Sequence, residues 1–148
     1  MRTAATLFSC FALVLFAFSA MGQDRPTMTG TWQFDAAKSD LKTLKVASAT
    51  WVIEEGDNTI HIAETEGAKS KKIDLQCTTD GKECQVTGDK AKASFWYNGP
   101  MLVEMETKGD RVTRYRLKIS EDGKTLTVEM THIVPQIDKI DTMVFSKT

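Results

Sequence analysis

From Gly30 to the C-terminus, apolar and polar residues alternate in short runs broken by glycine-bearing turns. A new run begins about every ten residues, the rhythm of an antiparallel all-β domain. The runs are Gly30–Phe34, Thr50–Glu54, Thr59–Ala63, Lys71–Cys77, Glu83–Thr87, Ala93–Asn98, Met101–Thr107, Arg111–Ile119, Thr125–His132 and Asp141–Lys147. Asp80-Gly81, Asn98-Gly99-Pro100, Lys108-Gly109-Asp110 and Asp122-Gly123 supply turns. The alternation breaks over Asp35–Leu44, where Leu41 and Leu44 fit one face of a short helix and an irregular loop equally well.

Hairpin parity assigns faces, because residues opposed across a hairpin share a side of the sheet. A two-residue turn at Asp122-Gly123 sets Ile119 against Leu126, Leu117 against Val128, Tyr115 against Met130 and Thr113 against His132, with Arg116 facing Glu129 on the other side. A three-residue loop at Lys108-Gly109-Asp110 sets Val103 against Tyr115, Met105 against Thr113 and Glu104 against Arg114. The result is one apolar face and one charged lattice of Glu104, Glu106, Arg114, Arg116, Lys118 and Glu129, a sheet wet on one side. Strands linked by tight turns close most simply as an up-and-down barrel, which removes both edges. The predicted fold is an all-β antiparallel barrel of about 8–10 short strands with at most one short helix after the first strand. Trp32 and Phe34 are expected to meet Met143 and Phe145 at the closure.

The N-terminus changes the compartment. Met1-Arg2 precedes an apolar run, Leu7 to Phe18, too short to span a bilayer, and Ala20-Met21-Gly22 offers the small residues of a cleavage site. Cys10 lies before most of that run, the wrong place for a lipoprotein anchor. The expected organisation is a signal peptide at 1–22, a flexible lead at 23–29 and one barrel domain at 30–148, secreted or periplasmic. Loss of Arg2 shifts the formal net charge from -1 to -2, which gives no basic excess for nucleic acid or anionic lipid. No later apolar stretch is long enough to cross a membrane. Cys77 and Cys84 remain; with Asp80-Gly81 as turn residues they fall opposite each other, and in an exported chain the pair reads as a disulfide.

Gly30-Thr31-Trp32 in the first strand, a break, and then hairpins to a last strand ending Val144-Phe145-Ser146-Lys147 resemble the lipocalin-like, or calycin, group. The run Gly30 to Ser39 is similar to the start of small exported bacterial lipocalin-like proteins, as are Asp80-Gly81-Lys82 and Ser120 to Thr127. The resemblance implies a cavity-forming barrel and no particular ligand. The Thr-Asp-Tyr signature of lipocalins has no match, Arg114 and Arg116 point outward, and Arg114-Tyr115-Arg116 lies in the wrong strand for a fatty-acid-binding clamp.

Parity places Trp32, Trp51, Phe95, Tyr97, Met101, Met105, Tyr115 and Met130 inside, with His132 near a strand end. They are the expected lining of a pocket for a small apolar ligand, with methionines adapting to its shape. The competing arrangement is a filled core, since a small barrel has just enough room for side chains. A cavity of about 300 Å3 or more separates the two. His61 falls on the polar face, and His132 is expected at a wet rim, because a buried imidazole needs partners. Trp96 points outward beside Asn98-Gly99-Pro100, where a partner contact is one reading. No nucleophile elbow, phosphate loop or paired metal-ligand motif occurs, so no catalytic residue, metal or cofactor is assigned. The sequence points to a monomeric, non-enzymatic binder of a small apolar molecule. The alternative is a filled barrel acting through its surface, as an envelope structural protein or inhibitor.

Overall fold

The computed structural model describes residues 26–148. The expected signal peptide and its cleavage at Gly22 lie outside the described residues. Ten strands follow: β1 Gly30–Phe34, β2 Ala49–Glu55, β3 Thr59–Glu66, β4 Lys71–Thr78, β5 Asp80–Thr87, β6 Lys92–Asn98, β7 Met101–Lys108, β8 Arg111–Ile119, β9 Thr125–Val134 and β10 Ile140–Lys147. Each pairs antiparallel with the next, and β1 pairs with β10, so the sheet closes as a barrel with no free edge. Among the described residues there is no helix; 35–48 is an irregular loop that runs beside β10, with a β-bridge from Asp40 to Thr142 and further hydrogen bonds linking Asp35 and Ser39 to Val144.

Two expected registers hold. β8 and β9 align Ile119 with Leu126, Leu117 with Val128, Tyr115 with Met130, Thr113 with His132 and Arg116 with Glu129. Arg116 and Glu129 form an ion pair at 3.3 Å on the outer face. β4 and β5 share only two ladder pairs, Asp74 with Thr87 and Leu75 with Val86, and the Cys77–Cys84 disulfide continues that register with Cα atoms 5.5 Å apart.

One register is corrected. Lys108 pairs with Arg111, leaving Gly109-Asp110 as a two-residue turn, with Gly109 first and at φ 61°. A leading glycine suits the tight turns that match strand twist, so this turn prevails over a three-residue loop. Glu104 therefore faces Tyr115 and Glu106 faces Thr113, while Val103 faces Arg116 and Met105 faces Arg114. A slip of one residue exchanges faces. Glu104 and Glu106 leave the expected outer lattice for the interior, and Met105 moves outside.

The barrel is packed solid at the end where both termini of the domain meet. Trp32, Ile53, Ile60, Ile62, Phe95, Leu102, Leu117, Leu126 and Phe145 are all buried there. Phe34 meets Phe145 edge-on at 5.7 Å, joining first strand to last as expected. Trp32 Nε1 donates to the Met28 carbonyl at 2.8 Å, and Met28 is itself buried with its N–H donating to Glu55 at 2.6 Å. The last part of the lead expected to be loose is thus tied down. Lys147 of β10 lays its ammonium over the Trp32 ring at 5.2 Å. Gly30 makes room for it: a Cβ there would stand 2.5 Å from Lys147 Cε, at a backbone φ of 148°. The positive φ is the stronger requirement for glycine here, because the end of a lysine side chain can shift.

Gly30→Ala is expected to lose about 1–3 kcal/mol in urea denaturation. Most of the loss should persist in a Lys147→Ala background; full recovery there would show that the side-chain clash, and not the backbone, is the cause. Replacing both Cys77 and Cys84 by Ser reopens an eight-residue loop, as set by their separation of 7, and is expected to lower stability by about 2.5 kcal/mol. An unchanged denaturation midpoint would contradict a bond that holds β4 to β5.

Candidate functional site

Above the packed floor the side chains shrink in number and a cavity of about 160 Å3 opens toward the 35–48 loop. Its apolar wall is Leu44, Val46, Trp51, Ile73, Met130 and Met143. Its polar wall is Glu64, Glu66, Asp89, Glu104 and Glu106, with Tyr115. The volume lies below the roughly 300 Å3 at which small-molecule pockets begin. The interior is thus half filled core and half compact chamber.

The strands deliver the acids by simple alternation. In β3, Ile60 and Ile62 enter the floor, and the same parity carries Glu64 and Glu66 into the chamber. In β7, Leu102 lies in the floor, with Glu104 and Glu106 above it. Cross-strand neighbours then place Trp51 beside Glu64, Phe95 and Tyr115 on either side of Glu104, and Ala93 beside Glu106.

Glu104 is 4% exposed and has no hydrogen bond or ion pair among the described residues. Burial raises its carboxyl well above the ordinary range, and the neighbouring Glu64 and Glu106 add to this. Burial, then Glu106 and Glu66, push Glu64 up to about 8 against the opposing pull of Lys71. Burial also raises Glu106, with Asp89 nearby. The Tyr115 hydroxyl is held far above its ordinary value, first by burial and then by the surrounding glutamates. Asp89 behaves oppositely. Its hydrogen bond from Lys108 at 2.9 Å keeps it charged, and Lys71 stands 3.5 Å away. The two lysines that face the chamber are therefore already engaged.

The loop over the chamber is fastened by one side chain. Asp141 is fully buried, and one of its oxygens accepts the backbone N–H groups of Lys42, Thr43 and Leu44 at 2.5, 2.7 and 3.2 Å. The Thr43 hydroxyl donates to the other oxygen. Burial pushes this carboxyl up, but the bonds from Thr43, Leu44 and Lys42 together outweigh it and hold it below the ordinary range. His132 lies half-buried at the rim, 3.3 Å from Thr43 Oγ1. A groove bordered by Thr43, Lys108, Arg111 and His132 shares Leu44 and Glu106 with the chamber and marks its mouth.

Of the residues expected inside, Trp51, Tyr115 and Met130 line the chamber. Trp32 and Phe95 belong to the floor. Tyr97 faces inward near the packed end, donating to Glu55 at 2.6 Å. Met101 and Met105 lie on the outer face, opposite Asn98 and Ser94, because inward parity in β7 belongs to Leu102, Glu104 and Glu106. His61 is on the outer face, as its strand parity required, but it is held between Asp74 at 2.8 Å and Glu54 at 3.5 Å. Its pKa is raised, chiefly by the bond to Asp74. Sequence reading missed Glu64, Glu104, Glu106 and Asp141. Continuing the β3 alternation two positions past Ile62 would have found Glu64; for β7 only the turn length could have done so.

Neither a protein-family model nor a curated protein matches the sequence. Solved structures do match the fold. The chain is similar to the fluorescent protein UnaG, with 17% identity, a TM-score of 0.64, and coverage of 82% of this chain and 97% of that one. It is similar to REP1-NXSQ, a fatty acid transporter, at 12% identity and TM-score 0.63, covering 81% and 95% of the two chains. Human cRBP IV aligns at 16% identity and TM-score 0.58 over 82% of this chain and 98% of its own. The fold is the lipocalin-like, calycin-type barrel that the Gly30-Thr31-Trp32 strand implied.

The raised chamber carboxyls have a consequence for stability. A carboxyl whose folded pKa exceeds its unfolded value binds a proton more tightly when folded. Its contribution is complete below about 4.5 and is lost as pH rises toward the folded value, about 8 for Glu64. Glu104→Gln is expected to flatten the fall in Tm between pH 5 and pH 8 and to be more stable than the parent at pH 8. Parallel Tm–pH curves for parent and variant would contradict the buried, proton-holding state of Glu104.

Proposed function

We propose that this protein is an exported, monomeric small-molecule binder that holds a compact ligand in the chamber above the barrel floor and performs no catalysis. The observation that carries this reading is the chamber itself: a walled space with an apolar side of Trp51, Met130, Met143 and Ile73, inside a barrel whose other half is solid. A cavity of about 150 Å3 lined by apolar side chains is large enough to take benzene. A chamber of about 160 Å3 therefore fits a ligand built around one ring or a short branched chain, not a long acyl chain. The resemblance to a fatty acid transporter supports carriage inside the barrel, and the chamber volume of about 160 Å3 argues for a compact cargo.

Export is supported by the basic-apolar-small pattern of residues 1–22 and by the Cys77–Cys84 disulfide, a bond that persists in oxidising compartments. A monomer is supported by closure, since no strand edge remains to pair with a second copy.

Trp51 reports the test, because its ring lies on the chamber wall, 4.7 Å from Phe145. Indole-ring and single-phenyl compounds are expected to change the intrinsic fluorescence saturably, and Trp51→Phe should remove most of the change. Palmitate, retinol and haem should give none. Silence toward every compact compound would sink this reading and favour a barrel that acts through its outer surface.

A further inference from the structure

The polar wall of the chamber is not accounted for by an apolar ligand. Glu104 is nine-tenths buried, points into the cavity and has no partner among the described residues. Tyr115, its cross-strand neighbour, likewise has no hydrogen-bond partner among the described residues. Unpaired buried polar groups are costly, and sealing them beneath hydrocarbon makes them costlier. A fold that tolerates them in an enclosed space is complementary to something that pairs them.

The charges facing these groups define what that is. Glu64 and Glu66 come from β3, Lys71 from β4, Asp89 from the β5–β6 turn, Glu106 and Lys108 from β7, and Arg111 stands at the mouth. Lys108 is bonded to Asp89 at 2.7 Å and Lys71 is 3.5 Å from the same carboxylate, so neither neutralises Glu104. A ligand carboxylate or phosphate would meet three glutamates, and the two lysines beside them are already engaged by Asp89. A metal ion is not favoured, because no group of three or more metal-ligating side chains among the described residues converges closely enough. An ammonium group has three donors, one positive charge and no acceptor. It matches Glu64, Glu104 and Glu106 in sign and can donate to more than one of them.

Building on the ligand-binding reading above, we propose that the chamber is an amine site. A compact primary amine places its ammonium among Glu64, Glu104 and Glu106, and its apolar body lies against Trp51, Met130 and Met143. In the empty barrel the glutamates hold protons near neutrality, owing to burial and mutual repulsion. The incoming cation takes the place of those protons, so binding releases protons to solvent and tightens as pH rises toward the pKa of the amine.

The test is calorimetric titration of the disulfide-bonded protein with phenethylamine, 2-phenylethanol and phenylacetate, three probes sharing one ring and differing in head group. Phenethylamine is expected to bind at least about tenfold more tightly than the alcohol, and phenylacetate not at all. Runs in buffers of different ionisation enthalpy at pH 7 should show net proton release with the amine alone. Glu104→Gln should weaken the amine at least about tenfold and leave the alcohol unchanged. Glu64→Gln should do the same, which keeps the test decisive if one variant does not fold. Equal binding of amine and alcohol, or any preference for phenylacetate, overturns the amine site while leaving a ligand-binding barrel standing. Failure of all three probes overturns both readings.

Discussion

The seam between β1 and β10 is the contact that turns a curled meander into a closed barrel. It is short, three aligned residue pairs from Trp32 to Phe34, so side chains must reinforce what few backbone bonds provide. Phe34 on Phe145, Trp51 on Phe145, and the Lys147 ammonium over Trp32 do this from both sides of the seam. Without closure there would be two strand edges open to other chains, and the interior would be one face of an open sheet. With closure, every second residue of ten strands is directed into one enclosed volume. The acidic chamber exists only because that volume is sealed.

Enclosure sharpens the division between the two halves of the barrel. The floor is made of large apolar side chains buried to completion, and it is the source of stability. The chamber is made of groups that a stable core would avoid: the unpartnered carboxyl of Glu104 and the crowded pair Glu64 and Glu106. Such groups lower the stability of the empty protein, and a protein keeps that cost where function requires it. The disulfide at the thinnest ladder, between β4 and β5, and the anchoring of Met28 under Trp32 offset it from the other end. The packed floor and the chamber are therefore separated along the axis of a single barrel rather than between layers.

How far the sequence could be read depended on turns. Asp122-Gly123 leaves one sensible register, and every pair derived from it, including Arg116 with Glu129, is present. Asp80-Gly81 did the same for the cysteines. At Lys108-Gly109-Asp110 two loop lengths were compatible with the local sequence, and apolar matching favoured the wrong one, because Val103 and Met105 look like core and Glu104 and Glu106 look like surface. That preference fails here because the inward positions above the floor line a cavity and carry polar groups. The same bias hid Glu64, although its parity with Ile60 and Ile62 was in plain view. Asp141 was hidden for another reason. Its partners are backbone N–H groups about 98 residues away in an irregular loop, and no periodicity reports such a contact.

Asp141 also joins the two halves of the molecule mechanically. It belongs to β10, the strand that forms the closing seam, and it holds the 42–44 backbone over the chamber. Its carboxyl is depressed, so this fastening is present above its unfolded value, about 3.8, and is lost as pH falls through the lower folded value. The chamber glutamates respond to acid in the opposite sense for stability but the same sense for cargo: protonation relieves their repulsion and removes the charge that would hold a cation. The two responses lie in different pH ranges: the chamber glutamates take up protons near neutrality, Glu64 at about 8, while the Asp141 fastening fails only below about 3.8. Closure and fastening thus meet in one strand but rest on different physics, apolar packing at Phe145 and charge at Asp141.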